Sequence, residues 1–247
     1  MKTQRREKPE IIADELRALI VGGAVAEGES LGREPDLVER FGVSRPSLRE
    51  ALRILEAEGL ITVVRGVLGG VVVRAPDVHA TARSASMLLH ARNVTVGDVH
   101  DARSVIEPAA ARIVAGLPTR RTAVEDLQAF VDAQVAVIDD PARFGVANAA
   151  FHERLVVLAG NQTLALMVGM LDEVVARAVA EVSSRPSTRD SLTIRRRGIR
   201  SQERLLELLG VGAGLEAEEH WRAHMAAVGK VILGQRARSV VELMDRD

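Results

Sequence analysis

Ser44-Arg45-Pro46-Ser47-Leu48-Arg49 is the stretch of this chain whose residue types and spacing carry the most definite chemistry. A helix that enters the DNA major groove needs small or hydroxylated residues at its N-terminus, so that phosphates can approach backbone N–H groups. It needs Arg about one turn further on, because a guanidinium pairs bidentately with guanine O6 and N7. Ser44 and Ser47 supply the hydroxyls, and Arg45 and Arg49 stand four apart on one helical face. Leu48, Leu52 and Leu55 fall on the other side, toward a core. Downstream, Arg65-Gly66-Val67-Leu68-Gly69-Gly70 joins an Arg to glycines that let the backbone lie close to a sugar-phosphate chain.

Three further spacings invite chemistry. His220 and His224 stand four apart, which can put two imidazoles on one metal ion; the blander reading is packing or solvent exposure. Arg103 and Glu107 are also four apart, so either they pair along a helix or Arg103 grips an anionic ligand. Arg195-Arg196-Arg197 is a solvated helix face or the frame of an anion-binding mouth.

Elements must position these groups. An amphipathic helix is predicted from about Pro9 to Val21, with Ile12, Leu16, Leu19 and Ile20 on one face. A loop follows at Gly28–Gly32. A short helix runs from about Glu34 to Arg40, and a turn at Phe41-Gly42-Val43-Ser44 breaks it. The next helix opens on Ser44 as N-cap, with Pro46 in its first turn, and ends near Gly59. Leu60–Val64 and Val71–Arg74 read as a β-hairpin. From Ala75-Pro76-Asp77 onward the period is helical, with helices expected at about 79–92, from a Thr95/Asp98 capping box to Leu117, and at 119–138, 141–159, 162–183, 189–209 and 215–233. Connections this short argue for an antiparallel bundle. Gln235–Asp247 is charged and is expected as a frayed or partner-docking helix. The expected division is 1–76 for a DNA-binding module, 77–233 for an all-α domain and 234–247 for a tail. The fold class is mainly α: a winged helix-turn-helix followed by a bundle of six or seven helices.

Composition narrows the partners. The 247 residues carry 33 Lys and Arg against 34 Asp and Glu, so the chain is not basic overall. Residues 1–76 balance 12 against 12, yet residues 40–53 hold four Arg against Glu50 alone. The positive charge therefore sits on the candidate recognition helix. The chain has no cysteine, which excludes disulfides, thiol catalysis and Cys-based zinc sites. Aromatics are 2%, which argues against binding single strands by base stacking. The first run of apolar residues, IIADELRALIVGG, is interrupted by charges, and Leu164–Met170 is far shorter than the ~20 residues of a membrane span. A cytoplasmic location with no membrane partner is expected.

The run from Phe41-Gly42-Val43-Ser44-Arg45-Pro46 to Glu58-Gly59-Leu60-Ile61, preceded by Gly28-Glu29-Ser30-Leu31, Glu34 and Leu37, resembles the DNA-binding domain of GntR-family transcription regulators. The resemblance covers most of residues 10–75. It implies contact with double-stranded DNA through Ser44, Arg45, Ser47, Arg49, Arg65 and Gly66. Where the family usually has Leu-Pro-Ser-Glu-Arg, this chain has Leu31-Gly32-Arg33-Glu34-Pro35, so Arg33 stands in for an Arg that follows the Glu.

Three later stretches are similar to the FCD effector domain of the FadR-like branch of that family. They are Asp101-Ala102-Arg103 through Arg112, Asn148 through His152 to Gly160-Asn161, and Trp221 through Met225. The similarity implies a ligand cavity, a homodimer and effector-binding residues at Arg103, Asn148, His152, Gln202 and His224. Many members of the branch hold a divalent metal there, such as Zn²⁺ or Ni²⁺, with one Asp and three His. Here Asn148 and Gln202 occupy two of those four positions, leaving His152 and His224 as ligands, and such a set is expected to bind metal poorly. The implied function is a ligand-responsive regulator, more in the manner of a repressor, that binds a palindromic operator as a dimer. The effector class is a carboxylate, a sugar acid or an acyl-CoA. A hydrolase built on His152, His220 and His224 is the competing reading, but it lacks a general base and leaves the DNA module idle. The chain is therefore expected not to be an enzyme.

Overall fold

The computed structural model describes residues 8–64, 66, 69–74, 78–183, 189–230 and 238–241. Contacts divide the chain into two compact units, residues 1–80 and 81–247.

In the first unit, α1 (Lys8–Val21), α2 (Glu34–Phe41) and α3 (Arg45–Ala57) pack over a small sheet. Helix α1 buries Ile12, Ala13, Leu16 and Ile20, and α3 buries Leu48, Ala51, Leu52 and Leu55. Each fully buried Leu stabilises the fold by roughly 1.5–3 kcal/mol, so this shared apolar layer dominates the module. Ser44 caps α3 by accepting from the Ser47 N–H, and Gly42 ends α2 at φ 60, in the left-handed region. The two caps together make the tight turn that swings α3 away from α2.

The sheet corrects one expectation. Residues Ser30–Gly32, anticipated as loop, form strand β1, which pairs antiparallel with β3 (Gly70–Val73); β3 in turn pairs with β2 (Ile61–Val64), giving the order β1-β3-β2. Only Leu31 of β1 is buried, so the strand shows no alternating pattern in sequence. Its place depends on Gly70, where a Cβ would sit 3.1 Å from Ser30 Oγ and 3.2 Å from the Gly32 carbonyl. The missing side chain is what lets β1 approach.

The second unit is all helical apart from one β-bridge among its described residues: α4 (Val78–Ala91), α5 (Val96–Gly116), α6 (Arg120–Ala136), α7 (Pro141–Leu158), α8 (Gln162–Ser183), α9 (Arg189–Val211) and α10 (Gly214–Val228). Thr95 and Asp98 form the expected capping box at the start of α5. Asp140 caps α7 by accepting from the Ala142 and Arg143 N–H groups. The main core is Leu, Val and Ala from α5, α6, α7 and α9, closed by Phe151, Trp221 and Met225. Helix α10 spans Gly214–Val228, with helical backbone continuing through residues 229–230, and residues 231–233 of the expected helix lie outside the described residues. A second correction concerns the C-terminal stretch. Its described part, residues 238–241, forms a bridge between Val240 and Thr95 rather than a helix, and Val241 is buried beside Ala82, Val96, Val99 and Val174. His90 Nδ1 bonds the Val241 carbonyl at 2.8 Å. Among the described residues, no helix is long and apolar enough to cross a membrane.

Candidate functional site

The first unit presents α3 as its charged edge. Arg45, Arg49 and Arg53 are exposed, while the leucines of the same helix are buried. Ser44 and Ser47 bond each other, Oγ to Oγ at 2.9 Å, at the helix N-terminus. Arg49 Nε donates to Glu34 Oε2 at 3.0 Å, tying the middle of α3 to the start of α2. Arg33 is exposed at the N-cap of α2, and its backbone N–H donates to Asp36 Oδ2. Gly66 holds φ 118, a conformation that L side chains rarely adopt. Arg65 lies outside the described residues. The structure thus gathers Ser44, Arg45, Ser47 and Arg49 on one helix end. The Glu34 contact escaped sequence reasoning because it joins residues fifteen apart across a turn.

In the second unit, the candidate effector residues fall into three groups. Glu107, fully buried on α5, is the hub of the first. Its Oε2 accepts from Trp221 Nε1 at 3.0 Å and shares a 2.6 Å hydrogen bond with His152 Nδ1. Its Oε1 faces Arg103 Nη2 at 2.8 Å, and Arg103 Nε lies 2.9 Å from Asp172 Oδ1. Of the two readings of Arg103, the helical ion pair with Glu107 is the one formed. Burial opposes the Glu107 charge, but His152, Arg103 and the Trp221 N–H outweigh it and hold the carboxyl down at about 2. Asp172 has fewer such partners. Burial dominates over Arg103 there and pushes it up to about 6.

The second group is a chain of amides. Gln134 Nε2 donates to Gln202 Oε1 at 2.8 Å, and Gln202 Nε2 donates to Asn148 Oδ1 at 3.0 Å. Gln134 also reaches the Phe130 carbonyl. It was not among the expected residues, because its partner lies 68 positions away.

The third group is aromatic. His224 stacks on Trp221 with centroids 4.2 Å apart, and its centroid is 5.7 Å from that of His152. Its buried Nε2 has no hydrogen-bond partner among the described residues. Burial first, and then His152, lowers its pKa to about 3, so the ring is neutral. His220 is turned elsewhere: its Nε2 lies 2.8 Å from the Ser201 carbonyl. The His220/His224 spacing therefore does not bring two ligating nitrogens together.

The donor set does not fit a divalent metal. Asn148 and Gln202 are neutral amides already bonded to each other, and both Glu107 oxygens face other partners. Among the described residues, no three His, Asp or Glu side chains converge as a metal would require.

Beside these groups lies a cavity of about 300 Å³. Asn148 and His224 line it, as do Arg195, Arg197, Ser201 and His220; Arg103, His152 and Gln202 do not. The Arg195 guanidinium lies 5.8 Å from the centre of the Phe144 ring, on the same wall. The charge run at 195–197 was the available signal for this cavity, with Arg195 three residues before Gly198 and Arg197 four before Ser201.

Comparison with known proteins agrees with both units. Residues 9–73 match the description "Bacterial regulatory proteins, gntR family", and residues 98–227 match "FCD domain". The Glc operon transcriptional activator of Escherichia coli (strain K12) is 28% identical over 186 residues, covering 72% of this chain and 71% of that protein. The HTH-type transcriptional repressor NanR of Cronobacter sakazakii is 27% identical over 205 residues, covering 81% and 75%. The HTH-type transcriptional regulator LutR of Bacillus subtilis is 25% identical over 219 residues, covering 87% and 97%. Among solved structures, Streptococcus agalactiae GntR superposes with a TM-score of 0.68 over 90% of this chain and 99% of that one, at 19% identity, which is a likeness of fold.

Proposed function

The chain belongs to the gntR family of bacterial regulatory proteins and carries an FCD domain, so it is a transcription regulator and not an enzyme, and on that premise we propose that it is a ligand-responsive repressor. It binds a palindromic operator in double-stranded DNA as a homodimer, and a small anionic metabolite in the helical domain releases it. The observation that carries this reading is the end of α3, where the Ser44 cap, Ser47, Arg45 and Arg49 share one exposed tip. Arg45 and Arg49 read base edges; Ser44, Ser47, Arg33, Arg65 and Gly66 meet the backbone. Residues 1–76 form the DNA module and 77–233 the sensor. Two copies would place their recognition helices about one DNA turn apart. The effector acts by favouring one arrangement of the dimer over another, which requires different affinities for the two.

The cavity supports the sensing half of the proposal. Its volume of about 300 Å³ is at the lower end for ligand pockets, which suits a small carboxylate or sugar acid and not an acyl-CoA. A binding titration on DNA from upstream of the protein's own gene tests the reading. Saturable, salt-sensitive binding of two chains per site is expected, and it should weaken on adding the effector. Binding no tighter than to random DNA sinks it.

A further inference from the structure

Resting on the reading of this cavity as an effector site, we propose that it takes a small organic carboxylate directly, on arginine, without a bridging metal ion. Among the described residues, the lining holds two cations, Arg195 and Arg197, and no Asp or Glu. A metal ion placed there would meet positive charge and find no anionic ligand among the described lining residues. An organic anion would meet the opposite situation. Arg197 is exposed on the lining and has no ion-pair partner among the described residues, so it can close on a carboxylate. Ile194, Ala223, Ala227 and Val228 supply apolar wall for the rest of the molecule.

The amide chain gives the same answer independently. Where a metal would need a charged oxygen, Asn148 offers an amide oxygen that already accepts from Gln202 Nε2, and Gln202 is held in turn by Gln134. Hydrogen bonds between neutral groups hold these helices in register, as coordination bonds would around an ion. Asn148 engages Gln202 through its oxygen and lies on the cavity wall, where its amide N–H₂ can donate to the bound carboxylate.

The test is thermal unfolding of the full chain with butanoate, hexanoate and 2-oxoglutarate, each beside its neutral amide. The series is run in EDTA and again with Zn²⁺ or Ni²⁺. At least one acid should raise the Tm in EDTA, its amide should not, and added metal should change nothing. Arg197→Gln should weaken that acid about tenfold, and Arg197→Lys less. The double variant Asn148→Asp, Gln202→His should acquire a Tm rise with Zn²⁺ or Ni²⁺ that the parent lacks. Acid binding that needs added metal, or one metal per parent chain surviving EDTA, overturns direct recognition while leaving the effector site standing. No response to any acid under either condition overturns the effector reading itself.

Discussion

Arg49 of α3 is held by Glu34 of α2, Nε to Oε2 at 3.0 Å, with Arg49 itself well exposed. A guanidinium anchored through Nε still has both terminal nitrogens for a base edge. Glu34 therefore sets the direction in which Arg49 points. As an exposed pair it contributes little to stability, up to about 1 kcal/mol. On the proposed reading of α3 its effect belongs to recognition: Glu34→Ala should lower the preference for operator over random DNA by up to about 1 kcal/mol. Affinity for random DNA should hold or rise, because an acid near the phosphates is gone. Competition binding at fixed salt measures both, and an equal loss on both DNAs would contradict the orienting role.

Arg45→Ala and Arg49→Ala should each reduce operator discrimination by about 1–3 kcal/mol, the usual worth of a bidentate base contact. Lys at either position should restore phosphate attraction without restoring discrimination. Unchanged operator affinity in both Ala variants would remove α3 from the interface.

Glu107→Gln should destabilise the second unit by about 3–5 kcal/mol, because Arg103 would lose a buried counter-charge and the His152 and Trp221 contacts a charged partner. Urea unfolding followed by far-ultraviolet circular dichroism reads this directly. A loss below about 1 kcal/mol would mean that the hub is not structural.

Acid stability should reflect two opposing sets of groups. His224 is held down at about 3 and His100 is also lowered, both first by burial. Between about pH 6.5 and 3 the unfolded His224 imidazole takes up a proton that the folded one refuses, so stability falls by up to about 1.4 kcal/mol per pH unit, and His100 acts in the same direction. Asp172, raised to about 6, works the other way between about pH 6 and 3.8: the folded carboxyl takes up its proton first, and stability rises as pH falls. Asp172→Asn removes that offset. Its stability should fall more steeply than the parent's between pH 6 and 4, as read from urea midpoints across that range. Parallel pH profiles would show that Asp172 does not titrate there.

Local chemistry made much of the fold legible. The Ser44 cap, the Thr95/Asp98 box and the leucine spacing of α3 are set within one or two turns, so each is visible in a short window. The recognition-helix residues follow from the same windows. Strand β1 was not legible, since its single buried residue gives no alternation and its pairing depends on the absent side chain at Gly70. In the second unit the sequence presented an Arg103/Glu107 helical pair and two amides in place of ligands.

By itself, then, the sequence determined the helices α1–α10, the β2–β3 hairpin, the tip of α3 and the presence of neutral amides at Asn148 and Gln202. Tertiary structure alone decided what the remaining polar groups do. It placed Glu107 against His152, 45 residues on, and Trp221, 114 residues on, and it bound Gln202 to Asn148 across 54 residues. Helical period and caps are short-range, whereas a buried carboxylate takes whichever donors packing brings within about 3 Å, and no local pattern records which those are.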